Sequence, residues 1–334
     1  MPKISVIIVT YNASPWIEHA LESLTQQTFQ NFQVLVVDNA SEDKTVKIIK
    51  DAYPFVQVIQ NRFNMGFSKA NNRGIHFTKS DYVVTMNQDT ILTERFFEHL
   101  VNYMDEHEGV GSCTGKIYRL TGRPDELSRE SFSKIIDTVG IKVTRSRQFI
   151  ELGAMERDEG QFSDTEEIFG VSAALALYRR SALEDVRFER EYFDEDFIAY
   201  KEDVDLAWRL RLRGWKAEFI PKAVAYHWRT AKSKELQSDK ETFLNRKTKS
   251  DYANLNSARN HLWVLVKCER NFWRHSPWII WYELKKWTYI LFFETKSLKA
   301  VWMFFAGIGK MRKKREQIQK NASISSKEML KWIT

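Results

Sequence analysis

Four short apolar runs, separated by helical patterns and turn-forming residues, constrain this chain more than any other feature. Residues 4–9 (ISVIIV), 33–37 (QVLVV), 55–59 (FVQVI) and 82–86 (YVVTM) read as buried strands, and a weaker run follows at 110–114. Between the first two runs Ile17, Ala20, Leu21 and Leu24 recur at the spacing of one helix face. Ser14 offers that helix a cap and Pro15 its first position. Such alternation predicts an α/β fold with a mainly parallel sheet covered by helices. Ligands then bind beyond the carboxyl ends of the strands, so the residues directly after each run are the candidates for a site.

Those residues are polar in every case. Thr10-Tyr11-Asn12 follows the first run, and Asp38-Asn39-Ala40-Ser41 the second. Asn61 and then Asn64-Met65-Gly66-Phe67 follow the third, and Asn87-Gln88-Asp89-Thr90 the fourth. Each cluster alone is ordinary turn chemistry. Together at one sheet edge, amides and carboxylates suit the base and ribose of a nucleotide. Asp89 would face the same crevice as Asp38, and a hard divalent cation favours carboxylate oxygens beside phosphate. His227, leaving an apolar run at 223–227, is a candidate second ligand; the alternative is a structural histidine with its hydrogen bonds satisfied.

Farther along, residues 120–165 are polar and irregular and read as a loop-rich excursion, with a strand or strand–turn at 169–178. Residues 202–213 read as a helix carrying an Asp205–Arg209 pair, with Trp215 packing after Gly214. Its opening Glu202-Asp203-x-Asp205 has two readings. Acids favour a helix N-terminus by capping and by the dipole. A carboxylate held there beside a crevice is also placed to accept a proton from a hydroxyl nucleophile.

These segments together resemble family 2 glycosyltransferases of the GT-A fold, and more narrowly bacterial rhamnosyltransferases that build cell-surface polysaccharides. The resemblance rests on residues 6–12 (VIIVTYN), 36–41 (VVDNAS), 64–75 (NMGFSKANNRGI), 86–90 (MNQDT), 201–215 (KEDVDLAWRLRLRGW) and Tyr226-His227. It implies that Thr10, Asn12, Asp38 and Asn39 hold the base and ribose of a nucleotide-sugar, that Tyr11 and Asn87 belong to the same nucleotide-sugar site, and that Asn64, Gly66 and Asn71 line the donor pocket, Gly66 by close backbone approach. Mg²⁺ or Mn²⁺ would sit at Asp89 and His227, although Asn87-Gln88-Asp89 keeps only one carboxylate of the family's Asp-x-Asp. The segment Val-Ser-Ala-Ala at 171–174 departs from the family's Ser-Gly-Ala turn. Asp203 would be the catalytic base of an inverting transfer and Glu202 its orienting neighbour. The implied donor is dTDP-rhamnose, the alternatives being UDP-galactofuranose, UDP-glucose and UDP-N-acetylglucosamine, or a binder without catalysis. The implied acceptor is a glycan or polyprenol-linked saccharide.

Charge divides the 334 residues unevenly. Residues 259–334 hold 16 Lys+Arg against 5 Asp+Glu and seven of the eleven tryptophans, whereas the first 258 carry a net charge of −4. The expected organisation is a GT-A domain at 1–230 (donor half 1–120, acceptor half 121–230), a polar linker at 231–256 and a basic, Trp-rich helical extension at 257–334. Residues 277–293 are apolar yet interrupted by charges, which suits helices lying in an anionic membrane interface. The run Lys310-Met311-Arg312-Lys313-Lys314-Arg315 would add attraction to such a leaflet. The alternative is packing against the catalytic domain or a second subunit of a homodimer. Nucleic-acid binding through the basic aromatic region leaves the strand-end Asn/Asp set unexplained. No apolar run near the first residue has signal-peptide length, and Cys113 and Cys268 form no disulfide framework, so a cytoplasmic, peripherally attached protein is expected.

Overall fold

The computed structural model describes residues 1–228 and 246–334. The apolar runs become β1 (Ile4–Thr10), β2 (Phe32–Asp38), β3 (Val56–Gln60) and β4 (Tyr82–Asn87), with α1 (Ile17–Thr25), α2 (Thr45–Ala52) and α3 (Phe67–His76) between them. Next come β5 (Thr90–Leu92), α4 (Phe96–Glu106) and β6 (Val110–Leu120), much longer than the 110–114 run suggests. β2 pairs parallel to β1 and β3, and β1 pairs parallel to β4, in the order the crossovers demand. Alternating side chains of β1 feed two cores. Val6 and Ile8 pack with α1 and α4 on one face, and Ile7 packs with α3 on the other.

The second half is richer in strands than its polarity suggests. The expected excursion contains β7 (Phe132–Thr138), β8 (Ile141–Val143) and β9 (Phe149–Glu151), and β10 (Glu166–Ile168) follows. These strands are short and mostly half-exposed, so the hydrophobic pattern hardly marks them; pairing partners such as β6 for β7 fix them instead. β11 (Leu175–Arg179) lies antiparallel between β4 and β6. α5 (Arg180–Val186) and α6 (Glu202–Leu212) follow, then β12 (Lys216–His227) parallel to β6. The sheet order is β10-β12-β6-β11-β4-β1-β2-β3, with β5 on β12 and β7 on β6.

At the start of α1 the expected cap is not formed. Trp16 occupies the N-cap position without a side-chain cap, and Trp16 and Ile17 donate N–H groups to Ala13 O instead. Trp16 is held by packing on Trp228, with ring centroids 4.0 Å apart.

Three long described helices complete the chain: α7 (Asp251–Cys268), α8 (Phe272–Phe293) and α9 (Lys299–Asn321). Part of the expected linker, 229–245, lies outside the described residues, and residues 251–256 already belong to α7. α7 and α9 cover α6: Trp263, Val264, Cys268 and Met311 share one core with Val204, Ala207, Trp208 and Leu212. α6 is consequently buried nearly all round, and its Asp205–Arg209 pair (2.8 Å) lies inside the protein.

Part of the basic run also turns inward. Met311 is core, Lys314 is buried in ion pairs with Glu191, Asp194 and Asp196, and Arg315 donates to the carbonyls of Val266 and Glu269. Lys310, Arg312 and Lys313 stay exposed, so the run turns inward only in part. Apolar exposure is concentrated on α8 and the start of α9, at Trp273 (86% exposed), Trp281, Leu284, Phe292, Trp302 (73%) and Phe305.

Candidate functional site

β1, β2, β3, β4, β6 and β12 all end at one edge, and the polar clusters gather there. Asp38 closes β2 opposite Thr10 of β1, and Thr10 Oγ1 donates to Asp38 Oδ1 at 2.9 Å. Ser41 donates to the same carboxylate through its N–H (3.0 Å) and its hydroxyl (2.5 Å). Asp38 is almost wholly buried beneath this edge. Asn39 is buried as well; its Oδ1 accepts from Asn61 Nδ2 (2.8 Å) and its Nδ2 donates to Gly66 O (3.3 Å). Tyr11 is exposed, with its N–H donating to Gln88 Oε1 at 2.9 Å. Asn12, at φ 50°, uses its Oδ1 to accept Glu42 N–H (2.9 Å), which ties the first loop to the second.

Two members of the expected donor pocket behave differently. Asn71 is buried and its amide donates to Phe67 O one turn back (3.0 Å), so it serves α3 rather than a pocket wall. Gly66 does permit a close approach, but the approaching backbone is the protein's own. A Cβ there would lie 2.6 Å from Ile198 Cγ2 and 2.9 Å from Ile198 O. Asn64 is exposed and accepts Gly66 N–H through Oδ1 at 3.0 Å.

A second group forms where β12 ends. His227 Nε2 lies 3.3 Å from Asp89 Oδ1 and 3.3 Å from Asn87 Nδ2, and its Nδ1 lies 2.8 Å from Asp137 Oδ2. Burial pulls the imidazole pKa down, but the Asp89 charge and the hydrogen bond with Asp137 outweigh it and raise it to about 10. Asp137, inside β7, escaped the sequence reading because nothing in its surroundings marks a strand. No three His, Cys, Asp or Glu side chains converge on one point among the described residues. Asp89 and His227 suit a hard divalent cation once the imidazole gives up its proton, offering one carboxylate and one ring nitrogen 3.3 Å apart. The imidazole is oriented from behind by a buried carboxylate, as in histidines that ligate metals. Such a cation would need further oxygens from a bound ligand.

The third group stands at the N-terminus of α6. Asp203 is half-buried and accepts Val204 N–H at 2.8 Å, and Ala173 N–H also points at its carboxylate. β11 runs antiparallel, so the segment just before it, including Ala173, returns to the ligand edge. There Ala174 O accepts Asn87 N–H at 2.7 Å. A hydrogen-bonded path therefore connects Asp203 to β4, whose next residues lead to Asp89.

Burial, and after it the charge of Glu151, raise the Asp203 pKa above the usual carboxylate range, against the pull of Lys201 and the two backbone N–H groups. Burial and the Asp203 charge push neighbouring Glu202 up to about 8, and Glu202 Oε2 is buried without a hydrogen-bond partner. Glu202 thus carries its proton at neutral pH beside a second carboxyl whose own pKa is also raised. Glu151 is held by Thr138 Oγ1 (2.6 Å) and Ser172 Oγ (3.3 Å). Its position in the irregular segment gave no sequence signal.

The family described as glycosyl transferase family 2 matches residues 5–187 of this chain. The poly-beta-1,6-N-acetyl-D-glucosamine synthase of Staphylococcus aureus (strain COL) is 25% identical over 229 residues, covering 67% of this chain and 49% of that protein. The chain thus spans about half the length of that curated relative. An uncharacterized glycosyltransferase of Haemophilus influenzae is 27% identical over 112 residues, 33% of this chain and 35% of that protein. Among solved structures, GalNAc-T7 with UDP, GalNAc and Mn²⁺ superposes with a TM-score of 0.57 at 13% identity, covering 80% of this chain and 48% of that one.

Proposed function

Because the chain belongs to glycosyl transferase family 2 and has the GT-A fold, we propose that it transfers one sugar from a nucleoside diphosphate donor to a hydroxyl acceptor with inversion, Asp203 being the base. The observation that carries this reading is the path from Asp203 through Ala173 and Ala174 to Asn87. It links a carboxylate of raised pKa to the end of β4, at the sheet edge where Asp38 also closes β2, which supports this reading. A raised pKa makes the Asp203 carboxylate a stronger base. Glu202, neutral beside it, adds no second charge and leaves an oxygen to orient the acceptor. Asp203 takes the acceptor proton as the hydroxyl oxygen bonds to the anomeric carbon, and the diphosphate leaves from the opposite face. Mg²⁺ or Mn²⁺ held by Asp89 and His227 would neutralise charge on that leaving group.

The donor in this proposal is dTDP-L-rhamnose, on the strength of the motif resemblance. The second reading is a UDP-sugar, which the N-acetylglucosamine polymer named for the S. aureus relative favours. The proposed acceptor is a glycan or polyprenol-linked saccharide, reached at an anionic membrane surface. No described helix is long and apolar enough to cross a membrane. The exposed aromatic face of α8 and α9 supports attachment from one side, beside exposed Lys310, Arg312 and Lys313 of the basic run. Exposed Arg274 and Lys299 lie on the same two helices, and both acids of the α8 region are engaged: Glu283 with Lys286 and Glu294 with Arg246.

Replacing the base decides the central point. Asp203→Asn lowers turnover by about 10²–10⁴-fold while nucleotide binding persists, measured by transfer assay and by titration with dTDP and UDP. Turnover at the wild-type rate overturns the assignment.

A further inference from the structure

Residues 194–201, which lead into the Asp203 helix, have an unusual backbone. Ile198, Tyr200 and Lys201 all have positive φ, at 62°, 71° and 70°. For a β-branched residue such as Ile198 this conformation is a true outlier, and it persists only where surrounding contacts impose it. The contacts come from two sides. From the donor edge, Ser68 N–H donates to Ile198 O (3.1 Å), and Gly66 leaves the space Ile198 fills. Asn72 brackets Phe193, its Nδ2 donating to Phe193 O (2.7 Å) and its Oδ1 accepting Phe193 N–H (2.8 Å).

From the other side Lys310 and Lys314 of α9 pair with the Asp194 and Asp196 side chains, and the contacts to the loop carbonyls come from α7. Asn260 is fully buried, and its Nδ2 faces the carbonyls of Phe197 (2.9 Å), Ala199 (3.0 Å) and Tyr200 (2.7 Å). Arg259 Nη2 donates to Asp196 O (3.1 Å) and Phe197 O (3.2 Å). Arg259 Nε also donates to Asn260 Oδ1 at 2.9 Å, which fixes the amide with its NH₂ towards the loop. Phe197 O also accepts Ala199 N–H (2.6 Å) and Arg259 Nη2, so the part-buried carbonyls of Ala199 and Tyr200 depend most on this amide. The amide answers that need while holding the chain in a shape it would leave if released.

We propose that Asn260, supported by Arg259, is a positioning residue for catalysis: through 197–200 it sets the start of α6 and hence the aim of Asp203. The proposal rests on Asp203 being the base. It makes the helical extension part of the catalytic apparatus, since the residue that sets the base lies outside the 5–187 family match. Asn260 does not touch the donor edge, so donor affinity and turnover separate when it is changed.

The test measures kcat and donor dissociation constant for Asn260→Ala, with Asp203→Asn in parallel. The expected result is a fall in kcat of at least tenfold at an unchanged donor dissociation constant. A folded Asn260→Ala protein with kcat within twofold of wild type overturns the proposal, as does an equal loss of donor affinity, which marks a general structural role. Should Asn260→Ala not fold, Arg259→Met removes the other donor to the same loop and is read by the same split. An Asp203→Asn enzyme at wild-type rate instead overturns the base assignment; an inactive Asp203→Asn enzyme beside an unaffected Asn260→Ala enzyme removes the positioning role alone.

Discussion

At the scale of single residues, the sharpest consequence belongs to Glu202. Its folded pKa of about 8 stands above the ordinary carboxylate value, so the folded state holds the proton more tightly than the unfolded chain. The stabilisation is complete below the unfolded pKa and is lost as pH rises through about 8. Glu202→Gln, which keeps the neutral shape, removes this dependence. Thermal unfolding at several values between pH 5 and pH 8 is expected to show a smaller decline for the variant, and parallel curves would refute it. Thr10, Asp38, Asn39, Asp89, Asp203 and His227 were legible because each follows an apolar run or opens a helix pattern. Asp137, Glu151 and Asn260 were not. The first two lie on strands without an apolar repeat, and Asn260 acts through carbonyls 60 or so positions away. Contacts between backbone and a distant amide leave no trace in spacing.

Elements are joined by features that local propensity does not encode. Gly66 caps α3 at φ 85°, ψ 172°, a region closed to other residues, with Ile198 packed where a Cβ would go. Gly66→Ala is expected to cost about 1–3 kcal/mol in denaturant unfolding; an unchanged midpoint would show that the two loops can separate. Between α7 and the catalytic body, fully buried Lys267 pairs with Asp194 and with Asp205 (2.5 Å). Lys267→Met leaves Asp194 with Lys314 and Asp205 with Arg209, so by the same measurement it should lose less than the about 3–5 kcal/mol of a buried charge left unpaired. The parallel half of the sheet was readable from its apolar runs. The strands from β7 to β10 were not, because half-exposed strands take their stability from pairing, which a single sequence does not display. The predicted cap of α1 failed for a related reason: Trp16 packs on Trp228, more than two hundred positions away, and that contact sets the start of the helix.

For the molecule as a whole, the uneven charge of the chain has two separate meanings. Lys267 and Lys314 fasten the extension to the acidic loop 191–196, while the exposed aromatics lie on α8 and early α9. Trp273, Trp281 and Trp302 together set the expected membrane affinity, each buried aromatic contributing about 1.5–3 kcal/mol. A Trp273→Ser/Trp281→Ser/Trp302→Ser variant should float with anionic vesicles at least tenfold less than wild type, at unchanged thermal midpoint. Equal flotation would mean that this face meets another partner. The last feature is one of order in time. His227 ends the final strand of the sheet, yet it touches Asp89 and Asp137, 138 and 90 positions earlier. During synthesis on the ribosome, the Thr10–Asp38 corner can close after roughly forty residues have emerged. The histidine corner must wait until nearly the whole sheet has been made, so a stalled chain can possess its Thr10–Asp38 corner and still lack every group gathered by β12.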